Sequence, residues 1–114
     1  MNKRQLGTRK EQLAEKLLGL HGYSILERNY RCRYGEIDLI AKKGDYLVFI
    51  EVKFRRNEKW GSPLEAVDSA KQRKIKQIAK HYLFEKKIAL DKPCRYDVVA
   101  IEGDRYKIIE NAFM

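Results

Sequence analysis

The 114-residue chain is 44% hydrophobic, enough for one packed core and too small for two ordinary domains, so a single domain over residues 1–114 is expected. Its 25 Lys and Arg against 16 Asp and Glu leave a formal charge of +9, which favours a polyanionic partner, although basic charge also serves solubility. No apolar run approaches a membrane span and residues 1–7 hold no signal-like stretch, so a cytoplasmic protein without a membrane partner is expected.

Cys32 and Cys94 lie far apart and outside any metal-ligand spacing, and His21 and His81 are the only histidines. Two reduced structural thiols are therefore expected, and a zinc site is not. In chain order, Leu6, Leu13, Ala14, Leu17, Leu18 and His21 recur with helical period before Gly22, predicting an amphipathic helix over 3–21. On that helix Glu11 lies beside Leu18 at the margin of the apolar arc. Residues 23–30 read as a first strand, with a basic connection over 29–33. Strands follow at 35–42 and 46–54, separated by Gly44-Asp45, whose glycine-first order suits a type II′ hairpin. Ser62-Pro63 punctuates the chain. A second helix then runs from Pro63 or Ser69 to Lys87, with Ile75, Ile78, Ala79, Tyr82 and Leu83 at helical spacing. Strands at 95–101 and 106–110, joined by Gly103-Asp104, complete an α/β chain of helix, three strands, helix and two strands.

If Gly44 and Asp45 form the loop, Leu39 faces Ile50, Ile40 faces Phe49, Ala41 faces Val48 and Ile37 faces Val52. Asp38 then falls opposite Glu51. Strand alternation puts Asp38, Glu51 and Lys53 on one face, with Glu36 opposite Lys53. Directly opposed carboxylates repel unless a cation lies between them, and magnesium commonly takes only one or two carboxylates while keeping waters. Asp38 and Glu51 are thus candidate metal ligands, and the Val52 carbonyl a further oxygen. Lys53 would bring a compact positive charge to a phosphodiester undergoing hydrolysis. Glu-x-Lys alone is more often a solvated strand face, and Asp38 could also pair diagonally with Lys53.

Asp38 followed by Glu51-Val52-Lys53 across a hairpin resembles the signature of the PD-(D/E)xK nuclease superfamily, and the element order resembles its αβββαβ restriction-endonuclease-like core. More narrowly, Asn29-Tyr30-Arg31-Cys32-Arg33, residues 35–41, residues 49–53, Arg95-Tyr96-Asp97-Val98-Val99 and Asn111-Ala112-Phe113 resemble the bacterial YraN-like family, over almost the whole chain. That resemblance implies a mixed sheet flanked by two helices with an added C-terminal strand. It also implies kinship with archaeal Holliday-junction resolvases, hence a magnesium- or manganese-dependent endonuclease acting on DNA, branched DNA included. By resemblance Asp38 and Glu51 match the metal carboxylates, Lys53 the catalytic lysine, Glu11 the acid of the first helix and Gln72 the polar residue beside the site. Lys10 stands before Glu11, where glycine is expected in much of the family. Glu36 and Asp97 are expected to orient Lys53 or an arginine. The resolvases suggest a homodimer by analogy.

Basic residues bracket the site: Arg31 and Arg33 before the second strand, Arg55 and Arg56 after the third, and Lys71, Arg73, Lys74 and Lys76 on the second helix. They suit phosphate contacts that position nucleic acid, DNA more than RNA, without reading sequence. Tyr34 and Trp60 could stack on an unpaired base or simply pack. The competing readings are a catalytically silent nucleic-acid-binding or assembly module that keeps the nuclease fold, and an interaction protein with no nucleic-acid partner.

Overall fold

The computed structural model describes residues 3–55 and 68–113, with side chains from Arg9 onward except those of Lys10 and Arg55. Helix α1 (Lys3–Leu20) leads into strands β1 (Ser24–Cys32), β2 (Gly35–Lys43) and β3 (Tyr46–Arg55). Helix α2 (Ser69–Glu85) and strands β4 (Cys94–Glu102) and β5 (Arg105–Ile109) follow. The five strands form one mixed sheet in the order β1-β2-β3-β4-β5, antiparallel except for the β3–β4 pair. Parallel neighbours need a crossover, and the β3–β4 connection contains α2. No helix among the described residues is long and apolar enough to cross a membrane.

Each hairpin follows from its turn chemistry. Gly44 takes φ 58 and Asp45 does not follow it into positive φ, as a type II′ turn requires, while Lys43 pairs with Tyr46 across it. Gly103 repeats the device at φ 60 between Glu102 and Arg105. The first hairpin is tighter than the sequence suggests. Residues 29–32, expected as a connection, continue β1, and only Arg33-Tyr34 turns before Cys32 pairs with Gly35.

Alternation along β3 sends Leu47 and Phe49 to one face and Val48 and Ile50 to the other. The first face is covered by α2 through Ile75, Ile78, Ala79, Tyr82 and Leu83, the five positions picked out by periodicity. The opposite face is covered by α1 through Ala14 and Leu18. Burying a side chain as large as Phe49 or Ile50 contributes about 1.5–3 kcal/mol, so these two layers fix the sheet between the helices. The apolar arc of α1 is narrower than expected. Leu13 is 42% exposed, and His21 follows the helix end, bonding Tyr106 Oη at 2.9 Å.

The N-terminus of α2 is capped by Asp68, whose side chain accepts the Lys71 N–H at 2.8 Å. This satisfies a donor that the first helical turn leaves unpaired. The helix starts at Ser69 and ends at Glu85, with Lys87 at φ 58 just beyond it. The alternative start at Pro63 lies outside the described residues.

A polar cluster ties Tyr23 and Asn111 to β4. Asp97 is completely buried and accepts from Tyr23 Oη at 2.6 Å, from Arg95 Nε and Nη2 at 3.0 and 2.8 Å, and from the Asn111 N–H at 2.9 Å. A buried carboxylate is tolerated when its lone pairs are filled in this way. Both cysteines are free and half-buried.

Candidate functional site

The β2–β3 ladder has the register that the Gly44-Asp45 loop dictates, from Lys43↔Tyr46 to Leu39↔Ile50. It ends one step short of the facing carboxylates. The expected Ile37–Val52 match is not made; instead the Val52 N–H donates to Asp38 Oδ2 at 2.8 Å. A side chain has replaced a main-chain acceptor at the point where two carboxylates would otherwise be pressed together. Strand β3 continues to Arg55 because β4 still pairs with it.

The same level is irregular in β1. Leu39 packs on the α1 side, whereas Ile37, two residues earlier, packs on the α2 side. Their partners Arg28 and Tyr30 flank Asn29, which has φ 50. A left-handed residue rotates the strand pair, and asparagine is among the few side chains that adopt it readily. Asn29 Nδ2 donates to Glu11 Oε2 at 3.2 Å. The structure therefore brings Glu11 to the level of Asp38 through Asn29, and no hydrogen bond or ion pair joins it to Asp38, Glu51 or Lys53 among the described residues.

Glu51 is met by two ammonium groups. Lys71 Nζ donates to its Oε1 at 2.8 Å, and Lys53 Nζ lies 3.3 Å from the same oxygen. Lys53 thus pairs along its own strand with Glu51 rather than diagonally with Asp38. Burial, and then its bond to Lys71, hold the Lys53 amine below its ordinary range against the pull of Glu51. Burial also works against the charge on Lys71, but its bonds to Glu51 and Lys53 outweigh that and raise it. The two amines share one carboxylate oxygen and therefore titrate as a pair.

Among the described residues no ammonium group pairs with Asp38, although the charge of Lys71 acts on it. Burial, reinforced by the charge of Glu51, pushes its carboxyl up from 3.8 to about 6 despite the Val52 N–H. The Val52 N–H meets Asp38 at Oδ2, and both ammonium groups meet Glu51 at Oε1. Glu36 adds further negative charge near Asp38 while pairing with Arg31 at 3.4 Å. Glu36 and Asp97 thus both engage arginines.

The sequence profile of "Uncharacterised protein family UPF0102" matches residues 10–101. The chain belongs to UPF0102. It is 48% identical to the UPF0102 protein of Lachnoclostridium phytofermentans, over 99% of this chain and 96% of that one. It is 44% identical to that of Caldicellulosiruptor saccharolyticus, over 99% of this chain and all of the relative. It is 49% identical to that of Syntrophus aciditrophicus, over 90% and 84% of the two chains.

In this UPF0102 chain, Lys71 is the site residue that the sequence reading placed elsewhere, among phosphate contacts. It lies one turn before Ile75 on the buried arc, so helical periodicity could have assigned it to the sheet. Gln72 follows it, half-buried in the same first turn. Arg31, Arg33, Arg73 and Lys74 are exposed, while Arg56 and Trp60 and the side chain of Arg55 lie outside what is described. Among the described residues no three His, Cys, Asp or Glu side chains converge as a metal cage. The site offers two carboxylates, a donor set that suits a hydrated magnesium or manganese ion rather than a fully protein-ligated one.

Proposed function

We propose that this protein is a metal-dependent endonuclease of the PD-(D/E)xK type, hydrolysing phosphodiester bonds of DNA, branched DNA among its substrates. The observation that carries this reading is the Asp38–Glu51 pair, held through Asp38 Oδ2 and Glu51 Oε1, with Lys53 and Lys71 at the same point. Asp38 and Glu51 would hold magnesium or manganese, with the Val52 carbonyl a further ligand. The ion, when bound, would polarise a phosphoryl oxygen and lower the pKa of a bound water.

The remaining groups have separate tasks. The Val52 N–H fixes Asp38 through Oδ2. Lys71 holds Glu51 in place. Lys53, with its lowered proton affinity, is suited to exchange a proton at Nζ or to offset charge on the phosphate in the transition state. Arg31, Arg33, Arg73 and Lys74 would seat the backbone on either side.

Purified protein should cleave a panel of branched, single-stranded and duplex DNA with magnesium or manganese. Asp38→Asn and Lys53→Ala should each remove that activity. Undiminished cleavage by both variants would trace it to a contaminant and reject the assignment. A specific observation favours the second reading, a catalytically silent nucleic-acid-binding module. Two lysines already neutralise one oxygen of Glu51. That reading predicts salt-sensitive binding without turnover under any divalent metal, and unchanged affinity in Lys53→Ala.

A further inference from the structure

We propose that the groove between the Arg33-Tyr34 turn and the outer face of α2 is a subsite for an unpaired stretch of a nucleic-acid strand. Its bases would stack on Phe84 and its phosphates would be held by Arg33 and Lys80. The subsite rests on the nucleic-acid reading above and names the form of strand that the site would take.

The groove encloses about 550 Å³ between Arg33, Tyr34, Gln77, Lys80, His81 and Phe84. Phe84 is 81% exposed, although its helix buries five other side chains. One exposed aromatic needs no explanation alone. Here it faces a prepared wall. Arg33 Nη2 donates to Tyr34 Oη at 2.7 Å, its guanidinium lies 4.9 Å from the Tyr34 ring centroid, and His81 meets that ring edge-on at 6.0 Å. None of the six lining residues is acidic. An aromatic platform between cations matches a polyanion that also presents flat π surfaces, which an unpaired nucleic-acid strand does. A base inside a duplex has both faces occupied by its neighbours and cannot stack on Phe84.

The groove is connected to the carboxylate pair by one helix. Lys71, Lys74, Gln77, His81 and Phe84 are spaced three or four residues apart and wind along α2 beside its buried arc. Lys71 is on Glu51, and a Cβ on Gly35 would come within 3.1 Å of Lys74 Cε, so the row runs beside the first hairpin. At 1.5 Å per residue the groove lies about 9–20 Å from Lys71 along the axis, roughly three to six base steps at 3.4 Å. A strand whose phosphate sits at Asp38 and Glu51 reaches Phe84 within a few nucleotides.

The test is binding with EDTA present, followed by fluorescence anisotropy with a labelled 12-nucleotide single strand and its duplex. Phe84→Ala and Tyr34→Ala should each weaken single-strand binding by about tenfold and duplex binding by less than about twofold, with Phe84→Trp restoring the wild-type value. Equal losses on both probes, or no loss in Phe84→Ala, overturn the subsite. So does a wild-type dimer in sedimentation that Phe84→Ala dissociates, which would assign the surface to a second copy. Duplex binding without single-strand preference overturns the subsite and leaves the nuclease reading standing. Single-strand binding that depends on Phe84 in a protein that never cleaves supports the subsite and overturns the nuclease reading alone.

Discussion

Asp38→Asn should make the metal-free protein more stable at pH 8 while removing its activity. The Asp38 carboxyl titrates at about 6 instead of 3.8 because it is buried beside Glu51. A gap of roughly 2 pH units at about 1.36 kcal/mol each means that the ionised carboxylate opposes folding by about 3 kcal/mol. The value of about 6 already includes the charge-assisted bond from the Val52 N–H, and asparagine keeps a neutral acceptor for it, so the gain at pH 8 is the whole penalty, about 3 kcal/mol. The folded chain holds this proton more tightly than the unfolded chain, so the penalty is absent below 3.8, grows between 3.8 and about 6, and is complete above 6. At pH 4.5 only about 1 kcal/mol of it remains, so the gain should shrink to about a third of its value at pH 8. Urea unfolding of both proteins with EDTA at the two pH values measures this. A variant no more stable than wild type at pH 8, or a gain equal at both pH values, would refute the reasoning. Magnesium at ten times its dissociation constant should then stabilise the wild type by about 1.4 kcal/mol and leave the variant unmoved.

Lys71→Met should move the alkaline-rising limb of the pH–rate profile to higher pH, because Lys53 loses the neighbouring cation that lowers its proton affinity; steady-state cleavage across pH reads it. Lys74→Ala should reduce the slope of log affinity against log salt by about 0.9 on duplex DNA, seen in anisotropy titrations at several salt concentrations. Gly35→Ala should cost about 1–3 kcal/mol in denaturant unfolding, because alanine is strained at φ 137 and its Cβ would crowd Lys74 and Ile78 at 3.1 and 3.3 Å. Asp97→Ala should cost about 3–5 kcal/mol, since it strands the Arg95 guanidinium, the Tyr23 hydroxyl and the Asn111 N–H; thermal melting measures the loss.

The parts of the fold legible in the sequence are those set by local rules. A glycine-first two-residue turn fixes the β2–β3 register, and strand parity then gives Glu51 and Lys53 the same side of β3 as Leu47 and Phe49, the side that α2 covers. Helical period picks out all five buried residues of α2. The departures come from longer-range forces. The ladder ends at Leu39↔Ile50, one step before two carboxylates would be directly opposed, and pairing rules that count only apolar matches carry no cost for that opposition. The positive φ of Asn29 is a choice between allowed conformations that its neighbours in sequence do not reveal, and it hides the step at which Leu39 and Ile37 change faces. The acceptor role of Asp97 depends on Tyr23, 74 residues away, a distance no periodicity spans.

The place where regular pairing fails is also the place best suited to chemistry. A continued ladder would have satisfied the Val52 N–H from the main chain and left both Asp38 oxygens facing Glu51. Because Asp38 Oδ2 accepts that N–H, the carboxylate is held in place by the backbone of the facing strand, and that strand is still anchored through β4. The opening is bounded on its α2 side by Lys71, which lies one turn ahead of Ile75 and so shares the helix face that packs on the sheet. The Asp68 cap holds the first turn, and with it the backbone of Lys71, in helical form. The cap and the site are therefore coupled through that turn: if it frayed, Lys71 would lose its fixed place on Glu51, leaving Lys53 as the only described cation on that carboxylate.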